Sequence, residues 1–356
     1  MAILGRLETA WKVFWQLGPL QSGAFALYQL QRRSGWLRAR LSVKRSLPQV
    51  GLPTHSLFSL PAAEELHAVL GEEGCSALLQ EAEEIVAGQV RLFGGLPHRL
   101  NLEPPQPLQH ALDYGDRVAG EDIKWFWEPG RFGWAVVLAR AWWLTRDERF
   151  FAAFWRYFDV FVEQNPCNLG PHWSSAQEVG LRLVALVFAG SVFGMAATLQ
   201  QQERLAGSVW QHAQRILPTW FYAEAQHNNH ALSEALGLFM AGAWVGQIAW
   251  QRRGWAWFER ALRTQIAEDG TYVQQSSNYH RLMLQEALWM DAVGRQMGLH
   301  WKPETRQRLS AAAQWLLAHM DESGQAVNLG NNDGALVLPL AVDRKSTRLN
   351  SSHRIR

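Results

Sequence analysis

The chain has 356 residues, 48% hydrophobic and 19% charged, with a formal net charge of +2. That composition fills a large core, in one big domain or two ordinary ones, and gives no case for a nucleic-acid or membrane-surface partner. Nineteen Trp against six Tyr supply flat apolar faces with one donor each, suited to packing helices and to stacking on sugar rings. Cys75 and Cys167 are too few for a disulfide or metal framework, so they read as buried thiols and no cofactor or metal is expected.

Residues 1–60 open as a basic amphipathic stretch, Trp11 to Arg40, and turn loop-like at Pro48, Pro53 and Pro61. No apolar run with a cleavage box stands at the N-terminus, which by sequence reads as cytoplasmic. Residues 62–90 pattern as a helix broken near Gly71–Gly74, and 94–124 as an irregular segment with short strands. The spacing then predicts helices near 131–145, 147–164, 174–199, 201–224, 229–249, 253–267, 278–298 and 303–320. Asn165-Pro166 stops one helix, Ser174 or Ser175 caps the next, Asp269-Gly270 turns tightly, and Pro303-Glu304 starts the last.

The most apolar run, Leu183 to Leu199, falls just short of a comfortable membrane span and reads as an enclosed helix. The helices come in pairs, one apolar nearly all round and its neighbour amphipathic. A helix apolar on every side must be enclosed, so the pairs suggest an inner and an outer ring. The fold class is mainly α, an incomplete α/α toroid of helical hairpins over residues 61–325; an irregular helical bundle is the other arrangement that fits. Residues 326–344 (AVNLGNNDGALVLPL and on) look like the start of a truncated C-terminal β-sheet domain. The tail 345–356, KSTRLNSSHRIR, has the texture of adapter sequence and is expected to be non-native and disordered.

Three segments gather polar residues inside apolar helical sequence: IKWFWEPGR (Ile123–Arg131) with PHWSSAQEVGLR (Pro171–Arg182), HNNHALSEALG (His227–Gly237), and DGTYVQQSSNYHRLML (Asp269–Leu284). Such groups cost free energy to bury unless paired. Asn228, Asn229 and His230 open an apolar helix, where an Asn caps free N–H groups and where an anion also binds well. Asn278, Tyr279, His280 and Arg281 open another: a Tyr near cations suits a general base, a buried satisfied Tyr is the plain alternative, and Arg281 suits a bidentate carboxylate contact. Glu128/Arg131 and Glu178/Arg182 have the spacing of helix-supporting ion pairs, with lining a cleft as the rival role. Trp125, Trp127 and Trp173 are candidates for sugar stacking.

The ordered set WFWEPGR, NP…G…W…E…R, NNH…E…G, DG…Q…S…NYHR and NLGNNDG resembles the heparinase II/III-like family of polysaccharide lyases over roughly residues 110–340. The resemblance implies an α/α toroid followed by an antiparallel β-sheet domain. It implies β-elimination of an acidic, uronate-containing polysaccharide (heparin/heparan sulfate- or alginate-like) and a periplasmic location. By position, Asn229 and His230 match the pair that contacts the substrate carboxylate, Tyr279 matches the catalytic tyrosine, and Arg281 an arginine of alginate-type members. His230 also corresponds to the base of some members. A further histidine is implied in the β-sheet domain, beyond the matched segment. His172 stands where the pattern leads one to expect Asn. Asn228, Gln275, His280, Asn331 and Asp333 join Trp125, Glu128, Arg131, His172, Trp173, Glu178 and Arg182 as candidate substrate-binding residues. Two rival functions remain: a non-catalytic glycan-binding or polysaccharide-assembly protein, and an inverting glycoside hydrolase with Glu128 and Glu178 as its carboxylates.

Overall fold

The computed structural model describes residues 18–53, 57–322 and 324–331. Asp333, the tail 345–356 and most of the expected sheet segment lie outside them. Helices α1 (Pro19–Arg33), α2 (Trp36–Arg40) and α3 (Ala63–Val86) come first, and Gly71 takes a non-helical φ of 67° inside α3, at the expected break. Two short antiparallel pairs follow, β1 (Gln89–Arg91) with β2 (Pro97–Arg99) and β3 (Arg117–Val118) with β4 (Glu121–Asp122). The rest is helical: α4 (Lys124–Gly130), α5 (Gly133–Thr145), α6 (Glu148–Gln164), α7 (Ala176–Phe193), α8 (Leu199–Ile216), α9 (Trp220–Gln226), α10 (Asn229–Trp244), α11 (Ile248–Gln265), α12 (Ser277–Gln296) and α13 (Pro303–Ala318).

Side-chain caps fix several of these starts. Asp147 accepts from the Arg149 N–H ahead of α6, Thr198 forms a capping box with Gln201 ahead of α8, and Asn228 accepts from the His230 N–H ahead of α10. Two expectations change. The helix expected over 201–224 divides at Leu217–Thr219 into α8 and α9, because Pro218 has no N–H to continue the ladder. Ser175 takes the N-cap position of α7 without a side-chain bond, while the Ser174 hydroxyl donates to Pro171 O at 2.7 Å.

Helices α5, α7, α10 and α12 form an inner row, each packed on the next, and α6, α8, α11 and α13 lie outside them as the second helix of each hairpin. Nearly every residue of α7 and α10 is buried, while α8 and α11 keep exposed polar stripes. This is an incomplete α/α toroid. Helix α7 is long and apolar enough to cross a membrane, but 89% of that window is buried inside the protein, as a core helix requires. Phe58 wedges between Phe188 of α7 and Trp289 of α12, ring centroids 5.6 and 5.4 Å away.

Glycines bring α7 and α10 into main-chain contact: a Cβ on Gly180 would lie 2.6 Å from Ser233 O, and one on Gly237 would lie 2.7 Å from Gly180 Cα. Both contacts fall in the first two or three turns of their helices, so α7 and α10 begin at the same end. Glu286 of α12 receives a hydrogen bond from Ser233, and Arg131, just before α5, is ion-paired to Glu178 of α7. The four inner helices therefore start at one end of the molecule.

Candidate active site at the inner-helix entrances

At the start of α10 the backbone is held from several sides. The Asn229 N–H donates to Gln274 Oε1 at 3.0 Å, Gln265 Nε2 donates to Asn228 O at 3.1 Å, and Ser233 Oγ reaches Asn229 O at 3.1 Å. Gln265 is steadied in turn by the Tyr272 hydroxyl at 3.0 Å. The Asn229 side-chain amide, by contrast, makes no hydrogen bond to the described residues, although the residue is only 4% exposed. Gln274 lies in the loop before α12, so its bond to Asn229 ties the two helix entrances together. The expected capping role falls to Asn228 alone.

Ser276 caps α12, its hydroxyl accepting from the Tyr279 N–H at 3.3 Å. Tyr279 precedes Glu286 by seven positions, two helical turns, and so shares the stripe of α12 that faces α10. Asn229 precedes Ser233, the partner of Glu286, by one turn on α10. Asn229 and Tyr279 thus stand on facing stripes at the open end of both helices, with His230 beside Asn229; Tyr279 and His230 are half-buried.

The neighbours of Tyr279 turn elsewhere. His280 is 1% exposed, its Nε2 is 2.8 Å from Ala312 O of α13, and its ring stacks on Trp315. Burial lowers its pKa. It cannot serve as a substrate contact from there. Arg281 lies about 200° around the helix from Tyr279, so the helix does not put it on the Tyr279 stripe. Its guanidinium has no ion pair among the described residues, and burial lowers its pKa. Gln275 is exposed with a left-handed φ of 48°, and Asn331 is exposed, its carbonyl accepting from the Ser276 hydroxyl.

The α7 entrance is closed. Arg131 binds Glu178 through Nε and Nη2 at 2.6 and 2.9 Å and Glu128 through Nη1 at 2.6 Å. The expected Glu128/Arg131 pair forms. The expected Glu178/Arg182 pair gives way: fully buried Arg182 donates to the carbonyls of Gly130 and His172 and lies over the Phe161 ring, 4.6 Å from its centroid. Burial brings its pKa down to about 9, against the pull of Glu178. His172 is 1% exposed with neither ring nitrogen hydrogen-bonded; burial and then Arg182 hold its pKa at about 3, so it is neutral. Trp173 is 2% exposed, packs on His212 and donates to Asn165 O at 3.1 Å. His172, Trp173 and Arg182 are therefore core residues, whereas Trp125 is 37% exposed, its ring perpendicular to that of Phe93. Trp127 is half-buried, its indole donating to Pro171 O at 3.0 Å.

Several residues that organise this end escaped the sequence reading. Gln274 sits in a loop 45 positions from its partner. Arg215, at the end of an amphipathic helix, donates to Trp173 O at 3.0 Å and Ser174 O at 3.2 Å. Glu234 and Glu286 are buried acids; burial raises Glu286 to about 8, against the Ser233 hydrogen bond, and raises Glu234 strongly, against Arg215. Glu286 has no basic residue three or four positions away on its helix, which was the available signal. A cavity of about 210 Å³ lined by Trp155, Gly190, Met195, Leu205 and Trp244 lies at the opposite ends of α7 and α10 and is no part of this site.

Solved structures that superpose on this chain include three polysaccharide-cleaving lyases. Heparinase III superposes with a TM-score of 0.53 at 15% identity, covering 87% of this chain and 48% of that one. Heparan sulfate lyase HepC from Pedobacter heparinus gives 0.51 at 16%, covering 86% and 45%. An alginate lyase from Bacteroides ovatus gives 0.51 at 15%, covering 76% and 84%. The chain thus spans about half the length of the first two. No curated protein sequence matches it. The family model described as Heparinase II/III N-terminus matches residues 109–309, more than half the chain. The match runs from the segment before α4 into α13 and takes in both helix entrances, so the chain belongs to the heparinase II/III family and has its polysaccharide-lyase fold.

Proposed function

We propose that the inner-helix entrances bind a uronate-containing polysaccharide, heparan sulfate-like or alginate-like, and cleave it by β-elimination. The observation that carries this reading is the unengaged amide of Asn229, on a backbone held by Gln274 at 3.0 Å and on the stripe facing Tyr279. Elimination removes the proton at C5 of the uronate and expels the O4 oxygen, leaving a C4=C5 double bond. Charge builds on the adjacent carboxylate as the proton leaves, so donors aimed at that group lower the barrier; one preorganised donor contributes about 3–4 kcal/mol. Asn229, the His230 side chain and the positive end of α10 serve the carboxylate. Tyr279 delivers a proton to O4, and either Tyr279 or a histidine takes the C5 proton.

The hydrolase alternative loses its carboxylates. Glu128 and Glu178 are both bound to the guanidinium of Arg131, and Glu178 is 1% exposed, so the pair does not flank an open cleft as an inverting acid and base must.

The test is to incubate the protein with heparan sulfate and with alginate and to follow ultraviolet absorbance of the unsaturated product. Tyr279→Phe should lower its appearance about 10²–10⁴-fold while polymer is still bound. New reducing ends without absorbance, or undiminished turnover in Tyr279→Phe, refutes the proposal; binding with neither product identifies a glycan-binding protein.

A further inference from the structure

The chain has no Asp or Glu between Glu8 and Glu64, yet that stretch carries Arg32, Arg33, Arg38, Arg40, Lys44 and Arg45 close together. All six are exposed. Asp113 pairs with Arg38, and Arg40 lies over the ring of exposed Trp36, 5.5 Å from its centroid. The whole chain is nearly neutral, so this is a local concentration of positive charge rather than an overall bias.

Its position follows from what anchors it. At one end Tyr28 of α1 stacks on Tyr222 of α9, centroids 4.3 Å apart, and α9 runs directly into Asn228 and α10. At the other end Lys44 and Cys167 exchange backbone hydrogen bonds of 3.1 and 3.0 Å, a few residues before Trp173 and the start of α7. Between them Arg32 donates to Leu112 O at 2.9 Å, and His110 lies 2.9 Å from Leu41 O. The segment therefore runs along the rim of the end where the inner helices begin, from the α10 entrance to the α7 entrance.

We infer that this rim is an accessory binding track for the anionic polymer, engaging carboxylate- or sulfate-bearing sugar units beyond those held at Asn229 and Tyr279. Apart from Arg38, these solvent-exposed cations have no carboxylate partner among the described residues, and such spaced charges attract a polyanion over a Debye length and hold it by many weak contacts rather than one specific site. Trp36 adds a flat face among them. The inference rests on the reading that the helix entrances accept an acidic polysaccharide, but it concerns binding alone and survives loss of the chemistry.

The test replaces Arg33, Arg40, Lys44 and Arg45 together with Gln in the full chain. Binding is measured to heparin (carboxylate and sulfate), alginate (carboxylate only), dextran (neutral) and anionic phospholipid vesicles. A second variant, with Arg33, Arg40 and Arg45 changed to Lys, keeps the charge; melting temperatures check folding of both. The expected result is about a tenfold loss of heparin affinity in the Gln variant at low salt, retained affinity in the Lys variant, and a difference that shrinks toward 1 M salt, where the Debye length is about 3 Å. An equal loss on alginate assigns the track to carboxylates, and a loss on heparin alone assigns it to sulfates. Unchanged affinity for both anionic polymers, an equal loss on dextran, or binding to anionic vesicles in place of the polymers overturns the track. Elimination that proceeds while the Gln variant binds like wild type removes the track and keeps the lyase; weaker binding with no elimination product does the reverse.

Discussion

The entrance of α7 and the paired entrances of α10 and α12 carry the same sequence texture, amides, imidazoles and charges opening an apolar helix, and they end in different states. At α7 the charges are paired and sealed: Glu178 is 1% exposed and clasped by Arg131, Arg182 is fully buried against two carbonyls, and His172, whose ring nitrogens have no partner, is shut in at 1% exposure. At α10 and α12 the backbone is equally well held, but the Asn229 amide is left unengaged and His230 and Tyr279 stay half-buried. A polar cluster at a helix start is thus a common solution to the orphan N–H problem. What sets the α10 and α12 entrances apart is an unengaged amide beside half-buried side chains, whereas the unpartnered His172 ring at α7 is sealed in the core.

If that contrast is right, substitutions at the two places should fail differently. Second only to Tyr279→Phe, Asn229→Ala should lower kcat about 10²–10³-fold with little change in melting temperature; a rise in KM alone would mean the amide only holds substrate. Arg131→Met strands a carboxylate with 1% exposure and should cost about 3–5 kcal/mol of stability, read by denaturant unfolding.

Titration separates the regions further. Glu286, near 8 when folded, keeps its proton after the unfolded chain has released it at about 4.3. Stability is full below that value and falls as pH rises toward 8, by at most about 1.4 kcal/mol per pH unit. His172, near 3 when folded, acts in the opposite sense: stability is full above about 6.5 and is lost as pH falls toward 3. Glu286→Gln should flatten the alkaline decline of the melting temperature and His172→Gln the acid one. A pH profile indifferent to both would erase this part of the contrast. The smallest effect is expected from Trp125→Ala, a loss of polymer affinity of about 2- to 10-fold without a change in melting temperature.

The helices were legible because their punctuation is local. Pro303 starts α13, Asn228 caps α10, and Gly71 breaks α3 where the pattern falters. The hairpin pairing followed from one enclosed and one amphipathic helix each time. What stayed hidden was non-local. Trp173 looked like a sugar platform because a flat ring before a helix suits that role, and only its bond to Asn165 and its packing on His212 show it closed in. Arg182 has the right spacing for Glu178, but Arg131 takes that carboxylate from across the fold. Tyr279 and Asn229 could be named from their order in the chain; that they face each other required the Ser233–Glu286 contact between α10 and α12.

The main-chain contact between Gly180 and Gly237 has a consequence for how such a molecule can diversify. Two helices touching without intervening side chains have no adjustable spacer, so the gauge between their ends is set once. In the proposed site any change of width therefore falls to α12 and the loop that carries Gln274, and a library seeking altered selectivity is best spent there.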